Sequence, residues 1–233
     1  MAFTEISTRA AKARPARGRP KDPDKRLAIL DAAKALFTAH GLAGASMEGI
    51  AQAAGVSKLT VYSHFQNKEE LFRQTVFAKC EEHWPDVLFD TQARPPLRVR
   101  LLAIGQGFLD LVCSDDVINM YRLLATEAGG TGNFGRLFWE AGPDRTMMRF
   151  AQVLEAASQA GELQFADARR AASHFFMLLK GEHHLRCILG AGPALTGAPR
   201  QAHIEEVVDL FLRAYAPPSA SRRRPGKPPG RKG

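Results

Sequence analysis

MEGIAQAAGVSKLTVYSHFQNKEEL, Met47 to Leu71 of a 233-residue chain, is the stretch whose reading decides the fold. Its apolar residues keep helical spacing on either side of one glycine. Counted from Met47, Ala51 stands fifth, Gly55 ninth and Val61 fifteenth. Two short helices that cross closely need a small residue at the crossing. They also need a glycine free to take positive φ at the turn, and a branched apolar anchor on the second helix. All three requirements are met, and Ile50, Ala54, Val56 and Phe65 complete an inward face. Ser46 and Ser57 are good N-caps for a helix over Met47–Ala54 and another running through Phe65.

Turning the second helix by about 100° per residue sends Val61 and Phe65 inward. Leu59, Thr60, Tyr62 and Ser63 then face outward, with Lys58 and His64 on the flanks. An ordinary exposed helix would more often carry Glu/Lys pairs there. Short hydroxyls, a phenol and a cation instead suit phosphate oxygens and base edges in a major groove.

The neighbouring sequence extends the pattern. Ile29, Leu30, Ala33, Phe37 and His40 mark the inner face of a preceding helix from Asp24, stopped by Gly41. Asn67-Lys68-Glu69-Glu70 reads as a capping-box start for a fourth helix. Further helices are expected near 68–89, 96–113, 115–128, 143–160, 167–189 and 200–215, separated by Pro95-Pro96, a Gly129–Gly135 loop, Gly161 and the Gly190–Pro199 segment. No stretch alternates as a strand would, and no internal repeat is evident. The fold class is all-α.

The net charge of +8 is unevenly placed. Residues 1–26 hold eight Lys/Arg against three Asp/Glu, and 217–233 hold six and none, leaving 18 basic and 21 acidic residues between them. The positive charge thus sits on two Pro-rich ends, of a composition that does not fold alone. The C-terminal end reads equally as solubilising disorder or as a phosphate-contacting tail. Arg17 and Arg19, within Arg17-Gly18-Arg19-Pro20, have the narrow basic character of an arm entering a minor groove. The expected division is an arm over 1–23, a helix-turn-helix domain over 24–72, a helical body over 73–216 and a tail over 217–233. No apolar run reaches the roughly 18 residues that span a bilayer, and the start lacks a secretory centre. Cys80, Cys113 and Cys187 read as reduced thiols, so a cytoplasmic protein with no membrane partner is expected.

Taken together, GASMEGIAQAAGVSKLTVYSHFQNKEELF resembles the DNA-binding segment of TetR/AcrR-type bacterial transcription regulators, over about Arg26 to Phe72. Helix phase, the turn glycine, Tyr62 and Lys68 carry the likeness; the rest matches in helix number and length. The resemblance implies a double-stranded operator as partner. Lys58, Leu59, Thr60 and Ser63 would lie nearest the bases, and Tyr62, His64, Lys68 and Ser46 at phosphates, with Ser57 opening the reading helix. Glu48 stays open between accepting from a cytosine and complementing its helix dipole. The resemblance further implies a C-terminal ligand-binding and dimerisation domain whose last two long helices pair across a two-fold axis. Two reading helices would then enter successive major grooves of a palindromic operator, roughly 34–36 Å apart. The function implied is a repressor released by an unidentified small molecule, although an activator is equally compatible with the residues.

Three other patterns point elsewhere and fall short. Gly130-Thr-Gly-Asn-Phe-Gly135 spells G-x-G-x-x-G, but a dinucleotide fingerprint must follow a strand, and INMYRLLATEAG before it reads as helix. His183, His184 and Cys187 supply too few ligands for a metal. No serine sits in a nucleophile-elbow pattern. No cofactor, metal or catalytic group is therefore expected. Trp84, Phe108, Met120, Phe138, Trp139, Met147 and Phe150 are core candidates that would also suit a pocket wall. Two alternatives remain: an all-α enzyme holding a nucleotide at the glycine loop, and a non-specific DNA binder relying on its basic tails.

Overall fold

A computed structural model describes residues 22–84, 89–90, 95–127 and 133–218. Arg17 and Arg19, residues 219–233 of the tail, and Gly129–Gly132 of the glycine loop lie outside the described residues. Among the described residues there are ten α-helices and no strand. They are α1 (Pro23–Gly44), α2 (Met47–Ala53), α3 (Lys58–His64), α4 (Lys68–His83), α5 (Leu97–Val112), α6 (Asp115–Glu127), α7 (Phe134–Ala141), α8 (Pro143–Gln159), α9 (Ala168–Leu189) and α10 (Gly197–Ala214). The all-α class holds.

Local chemistry sets the first four boundaries. The Asp22 carboxylate accepts from the amide of Asp24 at 3.1 Å, and Pro23 occupies the first turn of α1, where its missing N–H costs nothing. Gly41, at φ 68°, breaks the regular path of α1 where a stop was expected. His40 departs from expectation: it is exposed, and Gly41 beside it is buried. Ser46 accepts from the Gly49 amide at 3.0 Å and Ser57 from that of Thr60 at 3.1 Å. Asn67 accepts from Glu70 at 2.8 Å, but the return bond of the Glu70 carboxylate runs to the Gln66 amide, one residue before the cap.

Farther along, the structure differs from expectation at four places. The long helix expected to reach residue 89 ends at His83, with Trp84 as its C-cap. An unexpected helix, α7, starts at the end of the expected Gly129–Gly135 loop and fills the stretch after it, to which no element was assigned. Its Phe134, Leu137, Phe138 and Ala141 have the spacing of one helix face, which glycines at both ends concealed. The last helix starts at Gly197 rather than near residue 200. In α9 the backbone of Gly181 leaves helical geometry (φ 49°, ψ −157°), bending a helix expected to be continuous.

Two buried clusters hold these elements. The first packs Ile29, Phe37, Ile50, Val61, Phe65 and Phe72 from α1–α4, and continues into Met120, Phe134 and Leu137 of α6 and α7. The second joins α5, α8, α9 and α10 around Leu101, Ile104, Phe150, Phe175 and Phe211. α4 bridges them, because its C-cap Trp84 belongs to the second cluster. Trp84 fits only because Gly107 of α5 has no side chain. A Cβ there would lie 2.6 Å from the His83 carbonyl oxygen and 2.7 Å from the indole. Gly107→Ala should therefore destabilise the fold by about 1–3 kcal/mol. Urea unfolding measures this, and an unchanged midpoint would show that α4 and α5 slide apart freely.

Candidate nucleic-acid interface

The turn between α2 and α3 depends on Gly55, whose φ of +65° lies in the left-handed region that other residues avoid. The Val56 amide reaches back to the Ala51 carbonyl at 3.0 Å and closes the turn. Behind α3, Val61 and Phe65 are fully buried, as their spacing implied. The Arg26 guanidinium lies over the Phe65 ring at 5.2 Å and donates to the Gln74 side chain at 3.0 Å. α1 and α4 thereby clamp the end of α3, and the opposite face is left to solvent.

That outer face carries Lys58, Leu59, Tyr62 and Ser63, all exposed; Leu59, at 81%, is the most exposed large apolar residue of the described chain. A leucine so placed gains nothing from the fold that presents it. Thr60 departs from expectation: it is half-buried, and its hydroxyl lies 2.8 Å from that of Ser57. Ser63 donates to the Thr60 carbonyl at 2.7 Å, so its own lone pairs remain outward. Ser46 and Ser57 are exposed at the N-termini of α2 and α3, and His64 is half-buried at the end of α3. Those expected residues that are described thus gather around the starts of α2, α3 and α4 and the outer face of α3.

Two details were not legible in the sequence. Lys58, at the first position of α3, is ion-paired with Glu48 in the first turn of α2. Its ammonium also lies 5.8 Å from the Tyr62 ring centroid. The hydrogen bond between them holds the Glu48 carboxyl below its ordinary pKa and raises that of Lys58. Each stays charged while partly neutralising the other. Lys68, half-buried at the start of α4, donates to the carbonyls of Ala45 (2.9 Å) and Ala43 (3.5 Å). It ties α4 to the segment between α1 and α2, leaving one of its three ammonium protons for another acceptor.

Among the described residues no cluster of three His, Cys, Asp or Glu is arranged to hold a metal. His184 and Cys187 are buried and His183 half-buried. The element before the glycine loop is α6, a helix, so no strand leads into that loop as a dinucleotide fingerprint requires. Nor is any described helix long and apolar enough to cross a membrane.

Comparison with known proteins gives two family matches. Residues 29–75 match the bacterial regulatory proteins of the tetR family, and 99–217 match the C-terminal domain of AefR-like transcriptional repressors. The chain is 35% identical over 96 residues to the transcriptional repressor SCO4008 of Streptomyces coelicolor, covering 35% of this chain and 50% of that protein. It is 32% identical over 128 residues to the transcriptional activator FasR of Mycolicibacterium smegmatis, covering 52% and 57%. The chain thus spans about half the length of these curated relatives. Among solved structures, the flavonoid-responsive regulator FrrA is 34% identical with a TM-score of 0.65, covering 85% of this chain and all of that one. A TetR-family regulator from Mesorhizobium loti is 27% identical with a TM-score of 0.66, covering 83% and 98%.

The position of Lys68 predicts a stability effect apart from any DNA contact. Lys68→Met should lower stability by about 1 kcal/mol, since two backbone acceptors lose their charged donor. A thermal melt of the DNA-free protein checks this. An unchanged melting temperature would mean that the ammonium only rests there.

Proposed function

The chain belongs to the TetR family of DNA-binding transcription regulators, which are not enzymes, and from that premise we propose that it acts as a homodimeric repressor released by a small molecule. In this reading residues 24–72 are the DNA-binding unit and 73–216 the regulatory and dimerisation unit, working in the cytoplasm. α3 enters the major groove of a palindromic operator with Lys58, Leu59, Thr60 and Ser63 nearest the bases. Tyr62, His64, Lys68 and the N-termini behind Ser46 and Ser57 grip the flanking phosphates. Arg17 and Arg19 add a minor-groove arm.

The observation that carries the reading is the outer face of α3, where Leu59 is 81% exposed and Lys58, Tyr62 and Ser63 face solvent, opposite an inner face with no exposure at all at Val61. Dimerisation is supported by Leu178, Leu185 and Leu189 of α9 and Leu210 of α10, large apolar side chains that remain exposed in the single chain. A repressor role accords with the AefR-like match. A small-molecule effector accords with the similarity to the flavonoid-responsive regulator FrrA and with a cleft whose walls include α1 and α4, the helices that clamp α3. Release is then a population shift, in which the effector favours protomers whose two α3 helices no longer match the groove spacing. A hundredfold loss of affinity needs about 2.7 kcal/mol of differential binding.

Fluorescence anisotropy on duplexes from the region flanking the coding sequence tests this proposal. Tyr62→Ala should weaken binding to every duplex. Lys58→Ala should cost about 1–3 kcal/mol on the preferred duplex and change which sequence is preferred. Glu48→Gln should strengthen binding to all duplexes, because it removes a carboxylate from beside the phosphates. Equal losses on all sequences for Lys58→Ala would remove its base-reading role. Deleting residues 1–21 and 219–233 should weaken binding only; abolishing it would favour the tail-driven, non-specific alternative.

A further inference from the structure

We infer that the cleft between α1, α4 and the regulatory helices takes a small apolar molecule bearing one anionic group, with Lys180 as the anchor for the anion. The inference rests on the regulatory reading above and names the effector's chemical class. The cleft offers about 120 Å³ of space and is partly open to solvent, and Phe37, Phe72, Trp84, Phe108, Phe138 and Phe176 are among its walls. Trp84 and Phe108 lie almost parallel (4°) with centroids 5.8 Å apart, and Phe176 packs 4.5 Å from Phe108. Such walls suit an apolar body of ligand size and give it little to hydrogen-bond.

The charges in the lining are one-sided. Lys34, Lys79 and Lys180 face one acid, Asp116. Asp116 is already engaged, 3.2 Å from the Lys79 ammonium and 4.0 Å from that of Lys34, where it ties α6 to α4 and α1. No ion pair among the described residues includes Lys180 of α9. Its ammonium donates to the Tyr121 hydroxyl at 3.3 Å and lies 5.2 Å from the centre of that ring. Burial pulls its pKa below the ordinary lysine value, as expected of a cation lacking a counter-ion. The surroundings do not supply one. Tyr121 stays protonated, its pKa pushed up to about 12 by burial. His184, edge-on to Tyr121 at 5.1 Å, stays neutral, its pKa lowered to about 4 by burial and by Lys180. In the recess behind Lys180, Asp110 is paired with Arg200 at 2.7 Å.

An entering anion therefore meets two donors. The ammonium supplies charge, and Tyr121, accepting from Lys180, keeps its own proton to donate onward. A neutral ligand leaves the ammonium uncompensated, and a cation is repelled. Phe37 and Phe72 line the cleft and also belong to the core beneath α3, so a bound molecule presses on the element that presents the reading face.

The test is calorimetric titration of the full chain, without DNA, using matched probes: 2-naphthoate against 2-naphthamide, and decanoate against 1-decanol. At least one acid should bind roughly tenfold or more tightly than its neutral partner. Lys180→Met should remove that preference with little change for the neutral partner, whereas Lys180→Arg should keep most of it. Thermal melts of both variants confirm folding, and the arginine variant decides the matter if the methionine variant fails to fold. Binding by neither acid, equal affinity for acid and neutral partner, or a preference that survives Lys180→Met would overturn the assignment. Operator binding is measured separately, so this failure and a failure of the DNA-binding reading are distinguishable.

Discussion

Phe37 of α1 and Phe72 of α4 meet edge to face with ring centroids 5.2 Å apart. Both are fully buried, and Phe72 also touches Phe134 of α7 at 4.9 Å. On one side this contact closes the core on which Val61 and Phe65 seat α3. On the other it forms part of the cleft wall. Close-packed aromatic contacts resist continuous deformation, so a change on one side is passed on as a shift of whole helices. Interface and cleft therefore share one packed layer, and α4 is the element common to both.

The interface was largely legible in the sequence because it depends on local chemistry. Ser46, Ser57 and Asn67 each cap the helix that follows, and Gly55 takes the one conformation its turn requires. Those signals act over a few residues and need no knowledge of the rest of the fold. The Glu48–Lys58 pair crosses between two helices, and the Lys68 contacts reach back 23 and 25 residues. Such contacts are set by packing angle rather than by sequence spacing. Pattern alone places a lysine outward without saying whether its charge is already engaged.

The C-terminal part was legible as helices, but its cleft was not. The apolar spacing of α7 was present, yet its glycine borders read as loop. The bend at Gly181 could not be inferred, because glycine in a helix is tolerated as well as used. Of the seven residues considered for a pocket wall, six line the cleft, and Phe150 instead packs in the second core. Lys180 carried no signal. In α9 it is one cation among several polar residues, and only the fold places it beside Tyr121.

The same electrostatic logic runs through both sites. At the α3 surface the Lys58 ammonium is engaged by the Glu48 carboxylate. In the cleft a cation has no carboxylate partner among the described residues. Hydroxyl-radical footprinting of the DNA bound upstream of the coding sequence tests most directly whether the surface built around Gly55 reads a duplex as one of a symmetric pair. The account predicts two protected windows on one face of the helix, centred about 10 base pairs apart or a multiple of that. A continuous, sequence-independent footprint, or none at low salt, would contradict it.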